Sequence, residues 1–319
     1  MNILIADKLA QTAIDELTAL GCQVDFQPDL SADDLPKVAG QANVIIVRST
    51  KVQAPAIDAA PNLKLIIRAG AGYNTIDTEH ANTKGVYVCN TPGKNAAAVA
   101  ELAIGLMIAA DRNILDAGTA MRNGQWEKKK FGTGFGLLGR TFGIVGLGTI
   151  GLEVANRAKA LGMNVVAWSR SLTPERASEL GFKFATSPLE VAKAADVVSP
   201  HVAYNDATHH LLNAEFFNAM RDGAIVLNTS RGEVVDTKAL IEAIKTKGLK
   251  AAVDVYENEP TGGKAEFPQT DFAAVATCTP HLGASSAQAA EAVAQEVIRI
   301  VKEYKENSQP VNIVNNPQL

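Results

Sequence analysis

Only three cysteines, Cys22, Cys89 and Cys278, occur in the chain, and no two of them stand in C-x-x-C spacing. That scarcity argues against a disulfide framework and a structural zinc site, so no metal is expected and the cysteines read as small core residues. No apolar run approaches the roughly 20 residues that a membrane helix needs. The first residues, Met1-Asn2-Ile3-Leu4-Ile5-Ala6-Asp7, lack a basic leader and read as a strand rather than a signal peptide, so a cytoplasmic location is expected. Low-complexity segments and internal repeats are also missing. Positive charge is not in excess either: the formal net charge of -4 gives no global attraction for nucleic acid, and an anionic ligand has to be held by local cations.

What is present is a regular alternation of short apolar strands and amphipathic helices over 319 residues, enough for about two domains with their own cores. Candidate strands fall at residues 3–5, 24–26, 44–47, 65–67 and 86–89, and again at 142–145, 165–168, 197–199, 224–228, 251–253 and 275–277. This is the pattern of an α/β protein with parallel sheets. One long helical stretch is expected over residues 95–121, and a last helix over 285–304.

The most informative stretch is Gly146-Leu147-Gly148-Thr149-Ile150-Gly151, which follows an apolar strand and precedes a helical pattern. Its glycines suit a tight turn, close backbone approach to a pyrophosphate, and close packing of helix on strand. The phosphates of a dinucleotide would then sit on free helix N–H groups. The next strand should end at a carboxylate that grips the adenosine ribose, but Ser169-Arg170-Ser171 stands there instead.

Three more segments carry groups able to do chemistry. In Asn228-Thr229-Ser230-Arg231-Gly232-Glu233 a strand ends in a loop bearing an arginine, which suits a substrate carboxylate but equally suits a surface ion pair. The run Asp254-Val255-Tyr256-Glu257-Asn258-Glu259-Pro260 is dense in carboxylates, which a solvated acidic turn would also explain. In Thr279-Pro280-His281-Leu282-Gly283-Ala284-Ser285 a histidine, one of five, sits where a carboxylate neighbour would orient it for proton transfer near neutral pH.

In this order, the glycine turn, the Arg231 loop, the Asp254-to-Pro260 run and the His281 segment resemble the D-isomer-specific 2-hydroxyacid dehydrogenases. Val47-Arg48-Ser49-Thr50-Lys51-Val52, Arg68-Ala69-Gly70-Ala71-Gly72, Asn90-Thr91-Pro92-Gly93 and Asn123-Gly124-Gln125-Trp126 are similar to the phosphoglycerate dehydrogenase branch. The resemblance spans essentially the whole chain. It implies two doubly wound parallel-sheet domains, with a Rossmann nucleotide-binding domain (residues 93–285) inserted in a flavodoxin-like substrate domain (1–92 plus 286–319). It also implies catalysis in a cleft between them, with closure expelling water.

Carried over residue by residue, His281 is the acid that protonates a 2-keto oxygen, or the base in the reverse direction. Glu259 is its carboxylate partner, and Arg231 binds the substrate carboxylate and polarises the carbonyl. Gly146, Gly148, Thr149, Ile150, Gly151, Ser169, Arg170, His201, Thr229 and Asp254 are implied for the cofactor, with Asp254 on the nicotinamide carboxamide. Arg48 and Arg68 are implied for a substrate phosphate, and backbone N–H groups at Ala69, Gly70 and Ala71 for the carboxylate. The implied substrate is 3-phosphoglycerate with its 2-keto partner, as in serine biosynthesis, without the regulatory domain many such enzymes carry. A homodimer through residues 95–121 is also implied.

Three departures restrain the substrate assignment. The Arg48 loop is one residue shorter than usual in that branch, Tyr73-Asn74-Thr75 replaces a Val-Asp-Asn type sequence, and Ala203 replaces a proline two residues after His201. A glyoxylate/hydroxypyruvate reductase is therefore the alternative. A non-catalytic redox-sensing corepressor on the same fold fits less well, since a sensor needs no proton donor. The cofactor evidence divides: the family pattern favours NAD, whereas Ser169-Arg170 can donate to a 2′-phosphate and favours NADP.

Overall fold

Apolar triplets and quartets bounded by polar turns become strands, and those inside the sheets are buried on both faces, as parallel strands covered by helices are. The structure, a computed structural model, describes residues 1–260 and 264–317, so the last two residues of the expected 286–319 segment lie outside it. The chain divides into two units, Met1–Asn95 with Ser285–Leu319, and Ala96–Ala284.

The first unit holds β1 (Asn2–Ile5), β2 (Gln23–Phe26), β3 (Val44–Val47), β4 (Leu65–Arg68) and β5 (Tyr87–Asn90). They form one parallel sheet in the order β2-β1-β3-β4-β5, the flavodoxin-like order. Side chains alternate between faces. Leu4, Ile45, Val47 and Ile66 enter one core, while Ile3, Ile5, Val44 and Ile46 enter the other with Val297, Ile300 and Val301 of the helix Ala287–Asn307. The outer edge of β5 is covered: Val314 N–H donates to the Val88 carbonyl at 2.8 Å, and the Asn315 side chain bonds Val88 N–H and Val86 C=O, each at 2.8 Å. This satisfies backbone groups that a bare edge would expose.

The second unit holds β6 (Thr141–Val145), β7 (Asn164–Trp168), β8 (Lys183–Phe184), β9 (Val197–Pro200), β10 (Ile225–Asn228), β11 (Lys250–Val253) and β12 (Ala276–Cys278). Their order, β12-β11-β10-β9-β6-β7-β8, extends the doubly wound dinucleotide-binding arrangement by one strand. The helices Ala96–Arg112 and Thr149–Ala160 cover one face through Ala103, Met107, Val154 and Ala158. The other face is covered by helices carrying Val191, Phe217 and Leu240. β8 has no apolar run of its own and pairs at the edge with Val166 and Ala167, which explains why sequence patterning does not reveal it.

The long helical stretch expected over residues 95–121 is two helices, Ala96–Arg112 and Ile114–Arg122. Asn113 breaks it with a left-handed φ of 54°, a conformation asparagine tolerates. The ammonium of Lys250 takes up the Ala110 and Asp111 carbonyls at 3.0 and 3.2 Å, which supplies acceptor partners at the first helix's end. Among the described residues, no helix is long and apolar enough to cross a membrane.

Within each parallel sheet all carboxyl ends lie on one edge. In the second unit this gathers the loops after β6, β7, β9, β10, β11 and β12, and with them every candidate cofactor and catalytic residue of that unit.

Candidate active site

After β6 the chain turns at Gly146 with φ 101°, and its N–H donates to the Trp168 carbonyl at 2.7 Å. A Cβ on Gly146 would come within 2.8 Å of the His201 carbonyl oxygen, and one on Gly151 would collide with the Gly146 carbonyl. Gly148 differs. It is exposed, has an ordinary φ of -84°, and a Cβ there would meet no atom of the chain. Folding therefore does not demand glycine at 148, whereas a phosphate seated on the helix start does. Thr149 and Ile150 open the helix, and no side chain caps its first turn.

The neighbouring strand ends deliver the other candidates. Ser169 and Arg170 follow β7 directly, beside Gly146; Arg170 is exposed and makes no ion pair among the described residues. His201 follows β9, its N–H bound to the Val145 carbonyl at 2.8 Å. Burial pushes the His201 ring down to about 4, so it is neutral at physiological pH, and its Nε2 is buried without a partner among the described residues. The Thr229 hydroxyl, at the end of β10, is likewise buried and unpartnered. Buried polar atoms without partners are costly, so these two are natural sites for a bound polar group. The residues thus fit a dinucleotide: a glycine cradle, an uncapped helix start and two unfilled polar contacts. Among the described residues, no group of three or more His, Cys, Asp or Glu is placed to hold a metal ion.

The Arg231 loop is built around Asn228. The buried Asn228 amide oxygen accepts the Ser230 N–H and hydroxyl at 3.0 and 2.9 Å, and its NH2 donates to the Arg231 carbonyl at 2.8 Å. Gly232 then packs so closely on the Tyr256 carbonyl and Glu257 N–H that any Cβ would collide with them. This contact places the Arg231 loop against the loop that carries Glu259. The guanidinium itself is half-buried and donates to the Ser230 carbonyl at 2.7 Å.

His281 and Glu259 meet through Nδ1 and Oε2 at 2.7 Å, while Glu259 Oε1 accepts the Tyr256 N–H at 3.0 Å. Burial works to raise the Glu259 pKa, but the His281 hydrogen bond and charge, the Tyr256 N–H and the Arg231 charge outweigh it and hold the carboxyl below its ordinary value. The half-exposed His281 ring keeps Nε2 uncommitted among the described residues. The backbone of His281 is left-handed, φ 53°, and is held there by Asp254. This carboxylate, 1% exposed, accepts the Thr279 hydroxyl and Leu282 N–H on Oδ1 and the Gly283 N–H on Oδ2, at 2.6 to 2.7 Å. Burial nevertheless pushes the Asp254 pKa upward, opposed by those hydrogen bonds. That anchoring is absent from the sequence reading, which assigns Asp254 only to the cofactor.

The remaining candidates belong to the first unit. Arg68 ends β4, and its guanidinium lies over Gly70 so closely that a Cβ there would collide with it. Of the three N–H groups expected to bind a carboxylate, that of Ala69 donates to the Val47 carbonyl at 2.7 Å and that of Gly70 to the Arg68 carbonyl at 2.8 Å. Only the Ala71 N–H has no acceptor among the described residues. Arg48 reaches Ser285 Oγ at 3.4 Å. Its loop is shaped by Asp7, unnoticed in the sequence: one carboxylate oxygen accepts the N–H groups of Arg48, Ser49 and Thr50 at 2.7, 3.0 and 2.9 Å, and the other accepts the Ser49 hydroxyl at 2.9 Å. The available signal was an aspartate two residues past the first strand.

Residues 104–283 match the family model described as D-isomer specific 2-hydroxyacid dehydrogenase, NAD binding domain. The chain is 40% identical to a D-3-phosphoglycerate dehydrogenase of Archaeoglobus fulgidus over its full length, yet spans only 60% of that protein. It is 41% identical to a hydroxypyruvate reductase of Thermotoga maritima, with 86% of this chain and 89% of that one aligned. Among solved structures, the NADPH-dependent glyoxylate/hydroxypyruvate reductase of Sinorhizobium meliloti, in complex with NADP and malonate, superposes with a TM-score of 0.80 at 27% identity. That match covers 99% of this chain and 97% of the other.

The contrast between the glycines is directly testable by titrating reduced nicotinamide dinucleotide and following thermal unfolding. Gly148→Ala should leave the fold intact with a small change in unfolding midpoint while weakening dinucleotide binding about tenfold, or about 1.4 kcal/mol. Gly151→Ala should lower both stability and binding. Unchanged binding in Gly148→Ala would remove the phosphate from this turn.

Proposed function

The chain belongs to the D-isomer specific 2-hydroxyacid dehydrogenases, and we propose that it transfers hydride between a nicotinamide cofactor and C2 of a small D-2-hydroxy acid or its 2-keto acid. The observation that carries this reading is the 2.7 Å contact of His281 Nδ1 with Glu259, which leaves Nε2 to exchange a proton with substrate. Bound in the second unit, the cofactor supplies or accepts the hydride at its nicotinamide ring.

The protein's own groups do the rest. Arg231 pairs with the substrate carboxylate and pulls electron density toward the carbonyl oxygen, an interaction that strengthens as negative charge develops there. His281 Nε2–H delivers its proton to that oxygen during reduction and takes it from the hydroxyl during oxidation. Glu259, held ionised at neutral pH by His281, Tyr256 and Arg231, fixes the ring and offsets the charge of the imidazolium. Asp254 holds the His281 loop and keeps lone-pair capacity for the cofactor carboxamide. Neutral His201 and the Thr229 hydroxyl offer further cofactor contacts.

The substrate we assign is 3-phosphoglycerate with its 2-keto partner, Arg48 and Arg68 serving its phosphate and the Ala71 N–H its carboxylate. The identity to an archaeal D-3-phosphoglycerate dehydrogenase supports this. One observation favours hydroxypyruvate or glyoxylate as a second reading: Asp7 already fills the three backbone donors of the Arg48 loop, leaving none of them for a phosphate. For the cofactor, the absence of a carboxylate at residues 169–171 and the exposed, unpaired Arg170 support NADP. The three unpaired cysteines are in keeping with a cytoplasmic location.

We also assign a homodimer. Six of the twelve exposed large hydrophobic residues among those described fall within residues 114–138: Ile114, Leu115, Met121, Trp126, Phe135 and Leu138. A monomer seldom leaves so much apolar surface in one segment.

Turnover of 2-keto acids tests the chemistry. His281→Ala should lower kcat about 10²- to 10⁴-fold and leave the cofactor Kd within about twofold; unchanged kcat would defeat the assignment. Arg170→Asp should raise KM for NADPH about tenfold or more, a loss of about 1.4 kcal/mol, with a much smaller change for NADH, and equal changes would return the choice to NAD. Light scattering at micromolar concentration should give twice the chain mass; a monomer would rule out the dimer.

A further inference from the structure

Two residues before Glu259 lies a second imidazole and carboxylate couple. His210 Nε2 contacts Glu257 Oε1 at 2.7 Å, and Glu257 Oε2 accepts the Thr237 N–H at 3.1 Å. The couple lies between the two loops that carry the catalytic candidates. By its backbone, His210 joins the segment that follows Arg231: its N–H donates to the Glu233 carbonyl at 2.8 Å, and just beyond it Leu212 N–H donates to the Val234 carbonyl at 3.1 Å. By its ring, it joins the segment that leads to Glu259. Glu257 is in turn fixed on its main chain, where its carbonyl accepts the Gln269 side-chain amide. Asn258, with φ 55°, then reverses the chain so that Glu259 meets His281.

Both ends of this arrangement are held in sparsely populated backbone. His210 has φ 49°, a conformation that is costly for a non-glycine residue and persists only where surrounding contacts dictate it. Here those contacts are the Glu233 carbonyl, the Glu257 carboxylate, and the His209 ring stacked on that of His210 at 4.0 Å. The side chains are 34% and 22% exposed, and a pair so open to water adds little to stability. Its consequence is therefore positional rather than energetic.

We infer that His210 and Glu257 are positioning residues for the reaction: they clamp the turn after Arg231 to the loop before Glu259, and so fix the Glu259 carboxylate and the Arg231 guanidinium relative to each other and to His281. The inference rests on the assignment of those three residues to the chemistry. Glu259 faces His281, Arg231 and Tyr256, the His281 ring faces Asp254 as well as Glu259, and Glu257 faces His210. A loosened loop withdraws the Glu259 charge from the His281 ring. The ring then loses its fixed orientation, and the rate of reduction, which needs its proton aimed at the substrate oxygen, falls.

The test is steady-state reduction of hydroxypyruvate by saturating reduced cofactor across pH, with the intact chain. His210→Asn keeps a residue that tolerates the left-handed backbone but is too short to reach Glu257. His210→Gln retains a donor of sufficient reach, and Glu257→Ala removes the partner. Glu259→Gln provides the reference for loss of the carboxylate itself. His210→Asn and Glu257→Ala should each lower kcat about 10- to 100-fold, leave cofactor Kd unchanged, and change the pH profile in the same sense as Glu259→Gln. His210→Gln should restore most of the activity. If Glu259→Gln lowers kcat and moves the profile while folded His210→Asn and Glu257→Ala do neither, the pair is merely structural and the inference is overturned. If Glu259→Gln itself moves neither, the catalytic assignment fails and the inference falls with it.

Discussion

The site depends on one buried carboxylate. Asp254 receives a hydroxyl and two backbone N–H groups from residues 279, 282 and 283, and its own carbonyl receives the N–H of His281. Without that set of bonds there is no reason for a histidine to adopt φ 53°, and a buried charge would be left with nothing to compensate it. Gly283 belongs to the same device: a Cβ there would press to within 3.1 Å of an Asp254 oxygen. The rise in the Asp254 pKa marks what burial costs, and the hydrogen bonds are what make the arrangement tolerable.

From that anchor the electrostatics follow in order. The His281 loop presents Nδ1 to Glu259, which lies on the loop after Asp254, so a single strand end supplies both the anchor and the histidine's partner. Gly232 lets the Arg231 loop lie directly on that same loop. The three groups consequently form one charged cluster: an ionised carboxylate, an imidazole able to carry a proton, and a permanently charged guanidinium. Beside them, His201 is pushed the other way by burial and stays neutral. Two histidines of one domain thus differ in environment, one paired with a carboxylate and one desolvated with no partner for its Nε2 among the described residues.

Much of this was legible in the sequence. Apolar runs located eleven of the twelve strands among the described residues, because most of these strands are buried and announce themselves through composition. The glycine turn was readable because Gly146 and Gly151 answer steric demands of the fold, while Gly148 leaves the helix start open. Arg231, Glu259 and His281 stood out as candidates through their ordered motifs; their approach to one another was not readable, since it is made by contacts between separate strand-end loops. The rest was hidden for similar reasons. Asp7, the anchoring by Asp254 and the His210 contact with Glu257 are hydrogen bonds between distant segments, which no periodicity reports. The break at Asn113 depends on a residue that is compatible with a helix until Lys250 and the local turn decide otherwise. The N–H groups of Ala69 and Gly70, which the resemblance implied for a carboxylate, donate to the Val47 and Arg68 carbonyls, contacts of the same hidden kind.

The central claim is that this chain moves a hydride onto C2 of a 2-keto acid with D stereochemistry. Its most direct test is the fate of isotope when the protein is mixed with hydroxypyruvate and a reduced nicotinamide cofactor carrying deuterium at the transferable C4 position. The account predicts D-glycerate bearing the deuterium at C2. Glycerate without deuterium at C2, or product of L configuration, would contradict it.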